Sequence, residues 1–197
     1  FAVYNEGSVE NIFTIPMNKT LYTNQMQYLF RSRHYNHAKA LGLSGENGSS
    51  ATIEALQTFG YETNEQDPRF DYCYYAGTVY DLKGNVVKLD DGTALVYEPW
   101  KVKLDLSEKY EIDDKAMKDG KLMENDIVLF RYADVLLMKS EAKVRDGRNG
   151  DEELNQVRTR VGAPERVATL ENLLAERQLE FAWEGWRRQD LIRFRQF

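Results

Sequence analysis

The chain has 197 residues, 42% hydrophobic and 29% charged, the balance of an ordinary globular protein with one sizeable core. Its formal net charge of -6 excludes the basic footprint that a nucleic-acid partner requires. The single cysteine, Cys73, excludes an intramolecular disulfide and any Cys-x-x-Cys redox or metal site.

The sequence opens Phe1-Ala2-Val3-Tyr4 without an initiator Met and stops inside a helical pattern, so both ends are expected to be cuts in a longer protein. Asn11-Ile12-Phe13-Thr14-Ile15-Pro16 alternates apolar and polar, which predicts a short strand halted by Pro16. Ile53, Leu56 and Phe59 follow Thr52 at spacings of three, predicting one short helix that Thr52 caps. Between residues 72 and 100, Thr78-Val79-Tyr80, Val86-Val87 and Ala94-Leu95-Val96-Tyr97 are separated by Lys83-Gly84-Asn85 and Asp90-Asp91-Gly92. Turn residues at those breaks predict small antiparallel ribbons, expected to rest on the helical part because a ribbon makes no core alone.

From Asp126 the period becomes helical. Ten of the twelve residues from 127 to 138 are apolar, predicting a helix over 126–144 that is covered nearly all round. Arg131 and Asp134 interrupt that run, and it falls well short of the roughly 20 residues a bilayer span needs. Asp146-Gly147 should end the helix and Asp151 cap the next, whose stripe Leu154, Val157, Val161 closes at Gly162 and Pro164. The pair has the size of one tetratricopeptide-like repeat. Thr169 should cap a third helix carrying Leu170, Leu173, Leu174, Arg177 and Phe181, interrupted at Gly185 and continued to Phe194. The expected organisation is a loop-rich region over 1–124 with short strands and helices, then a helical region over 125–197.

Several phrases in these elements resemble one family. Arg131-Tyr132-Ala133-Asp134-Val135-Leu136-Leu137-Met138 with Glu141-Ala142, Leu154-Asn155-Gln156-Val157-Arg158-Thr159-Arg160-Val161-Gly162, and the run Glu176-Arg177-Gln178-Leu179-Glu180-Phe181-Ala182-Trp183-Glu184-Gly185-Trp186-Arg187-Arg188-Gln189-Asp190-Leu191 look like the C-terminal signature of SusD/RagB-type nutrient-binding lipoproteins. Upstream, Glu10-Asn11-Ile12-Phe13 resembles the family's "ENIF" strand, and Asp67-Pro68-Arg69 its "DPR" turn. The resemblance implies a mainly α fold, an alpha-alpha superhelix of tetratricopeptide-like type with irregular loops and small β ribbons. It also implies a surface-exposed lipoprotein of the outer membrane that presents an oligosaccharide or peptide to a SusC-like TonB-dependent transporter. Such a protein is not an enzyme, needs no cofactor, and touches the membrane only through a lipid anchor.

The charged residues of the signature admit two readings. Glu176, Glu180 and Glu184 recur every four residues on one helix face, and paired carboxylates are what a glycosidase uses. Each acid also has a base nearby, with Arg177 before Glu180 and Glu184, Arg187 before Asp190 and Arg131 before Asp134, so a structural ion-pair network is the preferred reading. Trp183 and Trp186 are expected to be core or interface residues.

Sugars offer apolar C–H faces to aromatic rings and hydroxyls to planar polar groups. The segment 22–36 supplies both, and its Tyr22, Tyr28, Arg31, Arg33, His34, Tyr35 and Asn36 form the candidate ligand-binding set. In the family that the sequence resembles, a loop in this place contributes ligand contacts. Tyr72, Tyr74, Tyr75, Tyr80, Tyr97 and Trp100 fit cross-strand packing better. His34 and His37 lack an acid or Cys at ligand spacing, so no metal is expected. Three functions compete: non-catalytic glycan binding, a helical-repeat or peptide-binding interaction module, and a glycosidase.

Overall fold

The computed structural model describes residues 5, 7–18, 20–22, 32–42, 45–98, 101–104, 109 and 124–196. In chain order its elements are β1 (Asn11–Ile15), α1 (Tyr35–Ala40), α2 (Ile53–Thr58), β2 (Tyr74–Tyr75), β3 (Gly77–Thr78), β4 (Val96–Tyr97), β5 (Lys103–Leu104), β6 (Ile127–Arg131), α3 (Tyr132–Arg145), α4 (Asp151–Arg160), α5 (Leu170–Glu180) and α6 (Arg187–Arg193). The chain forms two compact units whose segments interleave along the sequence.

One unit gathers Glu6–Ile15, Gln57–Phe70 and Ile127–Phe197. Its β1 pairs antiparallel with β6, Ile15 opposite Ile127 and Asn11 opposite Arg131. The single helix predicted over 126–144 is therefore a strand followed by a helix. Ile127-Val128-Leu129-Phe130 are β-branched and large apolar residues that favour a pleated ribbon once β1 supplies hydrogen-bond partners. At Arg131 the backbone is still extended, and the Tyr132 N–H donates to the Glu10 carbonyl at 2.8 Å. Nor is α3 covered all round: Ala133, Leu137, Ser140 and Glu141 are buried while Val135 and Met138 are exposed. Ten apolar residues in twelve thus span two elements: a strand whose Leu129 and Phe130 stay exposed, and a helix that buries one side.

The helical hairpin α3–α4 is present, and Asp146 with left-handed Gly147 (φ 71°) ends its first helix as predicted. The cap of α4 is Gly150 rather than the predicted Asp151. A Cβ at Gly150 would stand 2.7 Å from the Ser140 carbonyl oxygen, so only glycine lets the helix start this close to α3, where the Ser140 hydroxyl donates to the Gly150 carbonyl. Asp151 instead accepts the Ala168 N–H at 2.6 Å, fixing the approach to α5. Thr169 caps α5 as predicted, its hydroxyl accepting the Asn172 N–H at 3.1 Å. Ala133, Leu137, Leu154, Val157, Leu173 and Phe181 make the buried core, with Trp186 and Phe194 packed against it.

The other unit gathers Phe1–Asn5, Pro16–Leu56 and Asp71–Asp126. Here β3 pairs with β4 and β2 with β5, and isolated bridges join Tyr80 to Val86 and Lys88 to Ala94. Gly84 and Gly92, both at positive φ, turn the ribbon where the sequence predicts turns. Val79, Val87, Leu95 and Tyr97 alternate onto one face and bury there, with Ala40 of α1 against them. The ribbon thus has a small core within its own unit, where the sequence predicted that a ribbon makes none alone. Thr52 caps α2 as predicted, accepting the Ala55 N–H at 3.2 Å. Among the described residues no helix is long and apolar enough to cross a membrane.

Candidate functional site

The carboxylates that suggested catalysis form a charge lattice inside the helical unit. Arg69 of the Asp67-Pro68-Arg69 turn clamps Asp67 through two bonds of 2.8 Å and reaches Glu176 at 2.7 Å and Glu180 at 3.0 Å. Arg131, at the end of β6, donates to Glu180 at 2.6 Å and grips both oxygens of Glu184 at 2.8 and 2.9 Å. Arg158 of α4 takes the other oxygen of Glu176, and Arg160 also pairs with Glu180. Arg177 binds Asp134 of α3 at 2.6 Å and Asp190 of α6 at 2.7 Å. The Phe181 ring lies under two guanidinia, Arg131 at 4.6 Å and Arg177 at 4.9 Å from its centroid.

The network expected from the sequence is real, but its partners differ. The expected pairs were local, whereas Arg131 takes Glu180 and Glu184, and Asp134 and Asp190 share Arg177. Helical neighbours gain little from pairing at an exposed surface; here the acids are buried, and guanidinia from other elements, Arg131 on Glu180 and Glu184 and Arg177 on Asp134 and Asp190, compensate them. Arg69 was missed as the hub because it lies 107 residues from Glu176 in sequence.

Burial alone would raise the Glu180 carboxyl, but the Arg131, Arg160 and Arg69 guanidinia outweigh it and hold it at about 2, down from an ordinary 4.5. A carboxyl depressed on folding contributes its full stability above its unfolded value and loses it as pH falls towards the folded value. Acid unfolding followed by tryptophan fluorescence is therefore expected to show stability draining between about pH 4.5 and 2, with a shallower slope in Glu180→Ala. Identical slopes in the two proteins would contradict this.

In the other unit the residues around α1 form a ledge. His34 caps α1 with its own ring, Nδ1 accepting the Asn36 N–H at 3.1 Å, and its backbone N–H donates to the Tyr97 hydroxyl at 2.9 Å. Tyr35, the first helical residue, is 58% exposed, with the His34 ring edge-on 5.8 Å away. The Asn36 amide donates to the Lys88 carbonyl at 2.7 Å and lies 3.4 Å from Asp90. Beneath, His37 is fully buried, 3.0 Å from the Tyr97 hydroxyl and edge-on to Tyr75. The ledge thus offers an open aromatic ring with the His34 ring next to it, followed in the chain by Asn36, whose amide faces Asp90.

Of the predicted ligand set, the structure brings His34, Tyr35 and Asn36 together. Tyr22 is exposed on a separate tight turn bridged to Asn18. Arg33 is fully buried, which removes it from a solvent-facing set, and Tyr35 and Asn36 open a helix where a loop was expected. Tyr28 and Arg31 lie outside the described residues, as does Trp100. Tyr97, Lys88 and Asp90 were missed; each lies more than fifty residues from its partner on α1, and no local pattern marks them. Tyr75 and Tyr97 do pack on one another, centroids 6.0 Å apart, as expected of the second aromatic group. Among the described residues, no group of three or more His, Cys, Asp or Glu is placed to hold a metal ion.

A helical hairpin of tetratricopeptide-like type, with irregular loops, small β ribbons and a lattice of ion pairs among its helices, defines a mainly α scaffold. The chain belongs to the SusD family, whose model matches residues 9–197. A curated relative, the starch-binding protein SusD of Bacteroides thetaiotaomicron, is 35% identical over 92 residues, covering 46% of this chain and 17% of that protein. Among solved structures, surface glycan-binding protein A from Bacteroides uniformis is similar with a TM-score of 0.64 at 26% identity, over 95% of this chain and 38% of that one. Surface glycan-binding protein A from Bacteroides thetaiotaomicron in complex with laminarihexaose is similar in fold, with a TM-score of 0.66 at 21% identity over 98% of this chain and 44% of that one. The chain spans less than half the length of each of these relatives.

Proposed function

We propose that this chain takes part in non-catalytic capture of an oligosaccharide at the cell surface. The protein to which it belongs would be an outer-membrane lipoprotein that delivers the glycan to a SusC-like TonB-dependent transporter, touching the membrane through its lipid anchor. The observation that carries the glycan reading is the Tyr35 ledge: an exposed ring on a hydrogen-bonded support, with the His34 imidazole next to it and the Asp90 carboxylate against the neighbouring Asn36. Glycan-binding relatives of the same family support it. The charge lattice speaks against cleavage. A glycosidase needs one carboxylic acid that keeps its proton near neutral pH, and arginines ionise Glu180 and clamp Glu176 and Glu184 in place.

Titration calorimetry with maltoheptaose and laminarihexaose tests this reading. Binding of at least one is expected, with the oligosaccharide recovered at its original length. Tyr35→Ala should weaken that affinity about tenfold, the loss of one stacked ring face. Full affinity in Tyr35→Ala, or shortened oligosaccharide, would contradict it.

A further inference from the structure

We propose that Asn36 and Tyr97 are positioning residues, which touch no sugar and instead hold Tyr35 in the orientation that receives one. The inference rests on the glycan reading of Tyr35 and reassigns Asn36 from the contacts expected of it.

Tyr35 stands at the first position of a six-residue helix, too short to hold its own place in water. Its backbone is fixed from outside on three sides. The Tyr97 hydroxyl accepts the His34 N–H at 2.9 Å and lies 3.0 Å from Nδ1 of His37, so one hydroxyl secures residues on both sides of Tyr35. The Asn47 N–H donates to the Arg33 carbonyl at 2.9 Å, where a Cβ on Gly45 would approach that same oxygen to 2.7 Å. The Asn36 amide reaches the Lys88 carbonyl at 2.7 Å, joining the start of α1 to the ribbon beside its Asp90 turn.

These bonds differ in what they do for folding. Tyr97 is buried in the ribbon core, so its hydroxyl also supports the fold. Asn36 is half-exposed and its bond is a surface bond; what it chiefly decides is where the adjacent ring points. A ligand that binds one orientation loses affinity in proportion to the time the ring spends elsewhere.

The test is a double-mutant cycle on the 197-residue chain, using maltoheptaose and laminarihexaose as probes. Asn36→Ala is expected to weaken binding about three- to tenfold with an unchanged melting temperature. Asn36→Asp, which keeps a carbonyl oxygen but has no N–H to give Lys88, should be as weak. Tyr97→Phe should show a similar loss of affinity together with a lower melting temperature. In a Tyr35→Ala background, Asn36→Ala should cost nothing further. Wild-type affinity in Asn36→Ala, or an equal loss with and without the Tyr35 ring, would overturn the assignment while leaving the glycan reading intact. Failure of the glycan reading would show separately, as Tyr35→Ala binding like the wild type.

Discussion

Glu180→Ala is expected to destabilise the fold by about 3–5 kcal/mol, the usual cost of removing one partner from buried ion pairs. Three guanidinia converge on this carboxylate, Arg69 at 3.0 Å, Arg131 at 2.6 Å and Arg160, and its side chain is almost fully buried. Removing it leaves Arg69 with Asp67 and Glu176, and Arg131 with Glu184, so the lattice keeps other acids but loses the one that joins β6, α4 and the Asp67-Pro68-Arg69 turn to α5. For a chain of this size the melting temperature should fall by roughly 10 °C, measured by thermal unfolding followed by circular dichroism. A fall of a degree or two would mean that the lattice behaves like an exposed surface pair.

Arg177→Ala should be comparably damaging, about 3–5 kcal/mol. The guanidinium is 2% exposed, binds Asp134 and Asp190 from two other helices and covers Phe181. Asp190 retains Arg193 at 3.0 Å, whereas Asp134 is left to find other compensation in a buried site. The variant Asp134→Leu/Arg177→Met removes both members of that pair and fills their volume with apolar atoms. It should be clearly more stable than Arg177→Ala alone in urea titrations. Equal stability of the two variants would show that packing, rather than an uncompensated charge, sets the cost.

The helices were legible because their signals are local. Thr169 sits one residue before a periodic apolar run and Gly147 just after one, so caps and ends could be placed from neighbours alone. The strand Ile127–Arg131 was not, because a short continuous apolar run reads equally as buried helix, and only pairing with β1, more than a hundred residues earlier, decides it. Arg131 shows the same limit for charge: its acid three residues on is the obvious partner by spacing, yet its true partners are 49 and 53 residues away. The ledge was half legible. His34, Tyr35 and Asn36 are consecutive and could be singled out by residue type, whereas Tyr97 and Lys88 reach them through the ribbon's register, and Arg33 has the composition of a contact but the burial of a core residue.

The central claim is a division of labour: the charged helical signature maintains the fold and the Tyr35 ledge takes the ligand. It is tested most directly by measuring melting temperature and laminarihexaose and maltoheptaose affinity side by side for the wild type, Glu180→Ala and Tyr35→Ala. The expected result is crossed: Glu180→Ala melts roughly 10 °C lower yet binds, per folded molecule, as the wild type does, while Tyr35→Ala melts normally and binds about tenfold more weakly. Lost affinity in folded Glu180→Ala beside wild-type affinity in Tyr35→Ala would contradict it.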